Sequence, residues 1–242
     1  VSETWLDVRL VDLDSLAGTL EAIDQRLGLL SAVECGWATA PDPLRSRRRR
    51  TARIALRLLL HSACEPGARG RPVTTDGNGK PALAGSAFSF NVSHSGNIAL
   101  LAVASSGPVG IDVEQPRSVS LGPQRQALII SAASAFAAEP IGTGEFLVAW
   151  TRLEAFAKAR ATGIGTLLTE LGITAQGVRT LSSADVAVRA AELVRTSGLA
   201  VQSFGFPYGL VGAICAPGRI LSAGPEWKWL TEQHALDIAG AS

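Results

Sequence analysis

The sequence predicts an α+β protein made of two similar α/β halves, residues 1–115 and 116–242. Two observations carry the prediction. Residues 90–104 read as strand, turn and strand, with Gly96-Asn97 leading into Ile98-Ala99-Leu100-Leu101-Ala102-Val103. Residues 201–216 read the same way, with Pro207-Tyr208-Gly209 leading into Leu210-Val211-Gly212-Ala213-Ile214. Each follows a helix-rich segment, so one α+β unit is repeated with its seam in the region of Asp112 to Gly144. The 242 residues, 47% of them hydrophobic, suffice for one large core or two small ones.

In chain order, residues 5–10 alternate apolar and polar, as a half-buried strand does. Asp14 or Ser15 is the expected cap of a helix with Leu16, Leu20, Ile23 and Leu27 on one face. Pro41-Asp42-Pro43 breaks the chain, and Asp42 as N-cap with Pro43 in the first helical position opens a long helix. Ile54, Leu58 and His61 recur along it, and it ends before Pro66-Gly67. A turn-rich strip follows at 75–81, then strands at 88–93, 98–104 and 109–113. Helices are expected at about 121–138 and 144–161, and strands near 186–190, 199–206 and 208–215.

The composition excludes a disordered chain, a collagen and a coiled coil. The longest near-apolar run, residues 127–138, is too short to span a bilayer. The first residues carry Glu3, Asp7 and Arg9 instead of a secretory signal, and three widely spaced cysteines form neither a disulfide framework nor a zinc site. A cytoplasmic protein is expected. The formal net charge is only +1, yet 19 of the 22 cations are arginines, nine of them between Pro43 and Pro72. Such a run marks either a polyanion partner or a solvated basic face.

Five features could carry chemistry. Asp112 and Glu114 are two apart in a predicted strand, so both carboxylates share a face beside the small Gly110. Such a pair repels itself unless a cation lies between, and hard oxygen donors suit Mg²⁺; alone, the triplet reads equally as a solvent-facing strand edge. In Trp150-Thr151-Arg152-Leu153-Glu154-Ala155-Phe156-Ala157-Lys158, Glu154 and Lys158 lie four apart on one helical face. They supply a third carboxylate and a phosphate-reaching ammonium, or else a surface ion pair. Phe90-Asn91-Val92-Ser93-His94-Ser95 offers hydroxyls, an imidazole and turn amides to a phosphate, or is a plain hairpin end. A serine-hydrolase reading of it fails, because no nucleophile elbow is present and a nucleophilic serine draws its histidine from elsewhere in the chain. Gly79-Lys80-Pro81 puts a lysine in a Gly-rich loop without the ending of a P-loop. Arg50, Arg53 and Arg57, three and four apart, form a side of a helix that can clamp a phosphate.

Taken together and in this order, the motifs resemble those of the surfactin-type 4′-phosphopantetheinyl transferases, the holo-carrier-protein synthases. Ala52-Arg53-Ile54-Ala55-Leu56-Arg57 looks like the family's arginine helix, and Gly79-Lys80-Pro81 like its glycine-lysine-proline loop. Phe90 to Ser95 matches its serine-histidine-serine motif. Val109-Gly110-Ile111-Asp112-Val113-Glu114 and Trp150 to Lys158, followed by Gly163-Ile164-Gly165, match its metal and phosphate motifs. The resemblance covers residues 45–165, with only strand pattern beyond. It implies a pseudo-twofold α+β monomer with coenzyme A and Mg²⁺ between the halves. The implied reaction transfers phosphopantetheine from coenzyme A to a serine of an apo acyl or peptidyl carrier protein. Asp112, Glu114 and Glu154 would hold Mg²⁺, with Glu154 or a water it orients as base; Lys158, Lys80 and Pro81 would meet the coenzyme, and Ser93, His94 and Arg53 its phosphates, His94 near the 3′-phosphate.

Two departures stand out. Leu153 occupies the place of the family's usual lysine, and Arg152 beside it points about a hundred degrees away. Residues 118–145 are small and apolar, which implies an apolar carrier-docking patch including Phe136. Competing functions are a coenzyme A-binding homologue without transferase activity, a Mg²⁺-dependent phosphohydrolase, and a nucleic-acid module using the arginine run. Against the last stand a single tyrosine and no aromatics clustered near the arginines; neither nucleic acid nor membrane is expected as a partner.

Overall fold

The structure, a computed structural model, describes residues 4–63, 71–75, 80–142, 145–173, 181–222 and 224–240. The chain divides into two compact units, after Ser106 and again after Pro225. The first unit opens with β1 (Leu6–Asp12), α1 (Ala17–Leu27), α2 (Ala32–Trp37), α3 (Pro43–Ala63), β2 (Val73–Thr75), β3 (Pro81–Leu83), β4 (Ser89–Ser95) and β5 (Ile98–Ala104). The second holds β6 (Gly110–Glu114), α4 (Pro123–Ser134), α5 (Phe146–Ala159), α6 (Ile164–Glu170), α7 (Ser183–Ser197), β7 (Leu199–Gly205), β8 (Val211–Pro217) and α8 (Gly218–Leu221). The chain then returns to the first unit with β9 (Trp227–Trp229) and α9 (Glu232–Gly240).

The alternating residues of β1 pair antiparallel with β5, Leu10 opposite Leu100, and every residue of β5 is buried. The sheet order is β4-β5-β1-β9, with β9 parallel to β1. Leu20 and Ile23 of α1, Ile54 and Leu58 of α3, and Ala235 and Ile238 of α9 share one core with Leu101 and Val103 of the sheet. In the second unit the order is β6-β8-β7, all antiparallel, and Leu153 and Phe156 of α5 pack with Ala213 and Cys215 of β8.

The two units repeat one strand arrangement. In each, a first strand leads through helices to a hairpin, β4–β5 or β7–β8, whose second strand returns to pair antiparallel with the first. This is the physical content of the echo in the sequence. It also moves the seam. The strand with Asp112 and Glu114, expected to close an N-terminal half at residue 115, pairs with β8 and opens the second unit.

Local signals account for most helix starts. Asp42 Oδ1 accepts from the Leu44 amide at 3.0 Å, so Asp42 and Pro43 open α3 as expected. For α1 the cap differs. The helix begins at Ala17, and Asp12 takes the amides of Asp14 and Ser15 at 3.0 and 3.1 Å. Residues 186–190 are helix, where a strand was expected. Ser182 and Asp185 form a reciprocal capping box, and Val186 and Ala190 are the buried stripe of α7. Residues 64–70, 76–79 and 143–144, which include the end expected for the long helix before Pro66, most of the turn-rich strip and the start expected for the helix at 144–161, lie outside the described residues. Among the described residues no helix is long and apolar enough to cross a membrane.

Arg57 was expected on a phosphate-facing side of the arginine helix. It is instead 6% exposed and donates from Nε and Nη2 to Glu34, itself 3% exposed, at 2.6 and 2.7 Å, and from Nη1 to the Arg71 carbonyl at 2.8 Å. Burial pushes the Glu34 carboxyl up, but hydrogen bonds from Arg57 and Ser31 outweigh it and hold the group below the usual glutamate range. Removing one partner strands the other charge in the core. Arg57→Ala is expected to lower the free energy of urea unfolding by about 3–5 kcal/mol. Arg47→Ala, which breaks an exposed pair with Glu21, is expected to leave the midpoint nearly unchanged. Equal midpoints for the two variants would refute the structural role of the buried pair.

Candidate functional site

The geometry of the second unit turns on Gly110. A Cβ there would lie 2.1 Å from the Ala155 carbonyl oxygen and 2.3 Å from the Ala159 nitrogen, so α5 rests its backbone directly on β6. The contact sets Glu154 and Lys158, one helical turn apart, over the strand that carries Asp112 and Glu114. Lys158 Nζ donates to Asp112 Oδ1 at 2.6 Å and to the Ile111 carbonyl at 3.2 Å. Asp112 is 5% exposed. Glu114 accepts from Arg117 Nη2 at 2.9 Å and Nε at 3.2 Å.

Glu154 is half-buried. Burial pushes its carboxyl above the ordinary glutamate value of 4.5; Lys158 opposes this, while the negative charges of Asp112 and Glu114 add to it. The three carboxylates and Lys158 are therefore one electrostatic cluster. Its donors are hard oxygens, which suit Mg²⁺. Among the described residues, however, no three His, Cys, Asp or Glu side chains form a group that could hold a metal ion. Two of the three carboxylates are turned to internal cations, Asp112 to Lys158 and Glu114 to Arg117. The donor set suits such an ion in its chemistry, and in this side-chain arrangement two of its three carboxylates are met by basic groups instead.

In the first unit, β4 ends in Ser93-His94-Ser95 and turns at Gly96, whose φ of 59° is one that glycine adopts without strain. Ser93 is buried and His94 exposed, on opposite faces of the strand. A pocket of about 360 Å³ is lined by His94, Ser95, Asp42 and three arginines of α3, Arg45, Arg48 and Arg49. Arg53, the arginine expected beside His94 at a phosphate, lines a separate cavity of about 120 Å³ with Glu34, Pro81 and Phe90. Its guanidinium lies over the Trp37 ring at 5.2 Å, and burial disfavours its charge. Lys80 is half-buried at the start of β3; Gly79 lies outside the described residues.

Much of the arginine run is committed internally. Arg47 pairs with Glu21 at 3.0 Å, Arg48 with Asp14 at 2.5 Å and Arg50 with Asp24 at 2.8 Å. Arg48 pulls the Asp14 carboxyl below its usual range. Leu153 is fully buried. Arg152 is 1% exposed and donates from Nε to Ser203 Oγ at 2.7 Å, inside the core. Phe136 is no docking residue. It is 3% exposed and lies 4.5 Å from the Phe156 ring, inside the core.

The residues that sequence reasoning missed are Arg117, and Arg45 and Arg49 as partners of His94. Arg117 had a signal, an arginine three positions after Glu114 across Pro116. Comparison of the chain with family models and with curated proteins found no match.

Glu154 sets a pH dependence whose sign follows from its raised pKa. The folded state holds this proton more tightly than the unfolded chain, so the group's contribution is most favourable below about pH 4.5 and falls as pH rises through the folded-state value. Glu154→Gln removes the ionisation. In the absence of divalent cations the variant is expected to match the parent near pH 4 and to exceed it in urea midpoint at pH 7. A gap that does not grow between these pH values would show that the cluster does not strain Glu154.

Proposed function

We propose that the chain is a Mg²⁺-dependent 4′-phosphopantetheinyl transferase that moves phosphopantetheine from coenzyme A to a serine of an apo carrier protein, acting as a cytoplasmic monomer. The observation that carries this is the coupled set Asp112, Glu114, Glu154 and Lys158, gathered on β6 and α5 by the Gly110 contact. It supports the motif order on which the resemblance rests, as does the repeated strand arrangement of the two units.

Asp112, Glu114 and Glu154 would hold the cation, which when bound draws charge from the pyrophosphate. The serine oxygen attacks the β-phosphorus, the bond to the leaving phosphate breaks, and adenosine 3′,5′-bisphosphate departs. Glu154, or a water it orients, takes the hydroxyl proton; a carboxylate whose proton affinity burial has raised is suited to that task. Lys158 and Lys80 neutralise phosphate charge. His94 meets the 3′-phosphate with Arg45 and Arg49 in the part earlier assigned to Arg53, because these line its pocket. Pro81 and Arg53 would meet the coenzyme through the cavity they line, and Ser93 through the end of β4.

The test is to incubate the protein with coenzyme A, Mg²⁺ and apo carrier proteins and to weigh the carrier. A gain of one phosphopantetheine group is expected, and Asp112→Asn should slow it by about 10²-fold or more. Arg45→Gln with Arg49→Gln should raise KM for coenzyme A about tenfold or more, the loss of a charge-assisted hydrogen bond, and leave KM for 3′-dephospho-coenzyme A unchanged. Coenzyme A binding without transfer would indicate a homologue that has kept only the binding function. Release of the bisphosphate without a carrier would indicate a phosphohydrolase.

A further inference from the structure

The cluster on β6 and α5 carries its own cations, and their placement has a consequence for ligand binding. Lys158 Nζ is 2.6 Å from Asp112 Oδ1, at an aspartate whose side chain is only 7% exposed, and the Ile111 carbonyl holds the same ammonium at 3.2 Å. Arg117 grips Glu114 with two donors, but 48% of its side chain is exposed. A divalent ion sharing Asp112 and Glu114 must compete with both. We infer that Lys158 is the built-in counter-ion of the metal-free site, that a divalent cation enters by displacing it from Asp112, and that the released ammonium then serves a phosphoryl group. Cation and phosphoryl group thus bind cooperatively, through one side chain that cannot be in both places. This rests on the Mg²⁺ site of the proposed function.

The two pairs should differ in weight. The Lys158–Asp112 contact is the more buried of the two, its side chains 28% and 7% exposed, and there the attraction is less screened. The exposed Arg117 pair is screened and worth little. Displacing Lys158 should therefore dominate the cost of cation entry.

The chain has three lysines, Lys80, Lys158 and Lys228, so each can be followed separately by acetylation and peptide mass spectrometry. With Lys228, which is exposed, as internal reference, Mg²⁺ is expected to speed acetylation of Lys158 by about tenfold. In a second measurement, Mn²⁺ binding followed by its electron-spin signal should be about tenfold tighter in Lys158→Met than in the parent, and changed less in Arg117→Gln. The acetylation arm needs no variant and stands if Lys158→Met fails to fold. An unchanged Lys158 rate while Mn²⁺ binds, or no tighter binding in Lys158→Met, would overturn the inference, as would failure of every form to bind Mn²⁺. If the lysine responds but no carrier is modified, the exchange stands and the transferase function falls. If carriers are modified with no lysine response, the reverse holds.

Discussion

The backbone contact between α5 and β6 is the constraint on which the second unit depends. With residue 110 reduced to a hydrogen atom, Ala155 and Ala159 approach the strand more closely than any side chain permits. The helix is thereby fixed in height and rotation at once. Its inner face fills with Leu153, Phe156 and Ala157, all fully buried, and the adjoining edge delivers Glu154 and Lys158 to Asp112. A larger residue at 110 would push the helix outward by the size of a methyl group. It would weaken the core and open the 2.6 Å ion pair together. Packing and chemistry share one cause here.

Charge is handled differently in the two units. In the first, the arginine helix looks like a polyanion surface only when the chain is read linearly. Folded, four of its arginines meet Asp14, Glu21, Asp24 and Glu34 from α1, α2 and the turn before α1. These pairs tie α3 to its neighbours, and the near-neutral total of the chain reflects that mutual cancellation. Arg45 and Arg49 escape it sufficiently to line the pocket of His94. In the second unit like charges are crowded, and burial first, then the charges of Asp112 and Glu114, raise the proton affinity of Glu154 against the pull of Lys158. The exposed pairs add little stability and the buried Arg57–Glu34 pair adds more, while a half-buried cluster of like charges is costly to the fold and marks a candidate site.

The same contrast explains what was legible in the sequence. Short-range signals read well: Asp42-Pro43 opens α3, residues 98–104 form β5, and the hairpin turns fall where glycine and asparagine place them. The pairing of Asp112 with Lys158 was half legible, since helical and strand periods put the right residues on the right faces. What no local pattern announces is which strand lies beside which. The strand of Asp112 is nearest in sequence to β5 yet pairs with β8, about a hundred residues on, so the seam fell elsewhere than expected. Val186 to Ala190 shows the converse failure. Their apolar run fits a strand, and the capping box at Ser182 and Asp185, three residues apart and therefore readable, decides for a helix. Arg53 and Phe136 misled for a third reason. Residue type states what a side chain can do, and burial against Trp37 or Phe156 states what it is left free to do.

The burial of Leu153 bears on the charge of the cluster itself. Leu153 is fully enclosed, so its position points into the core and away from the carboxylates, and an ammonium there would be buried without a partner. Position 153 therefore adds no charge to the cluster. Asp112, Glu114 and Glu154, when ionised, bring three negative charges against the two positive charges of Lys158 and Arg117. One carboxylate charge is left over, that of Glu154, which burial already disfavours. On the proposed function a divalent cation would supply the opposite charge, where partial burial weakens screening by water. The same uncompensated charge would disfavour a phosphoryl group at the cation-free cluster, so the proposed function orders the two ligands, the cation first.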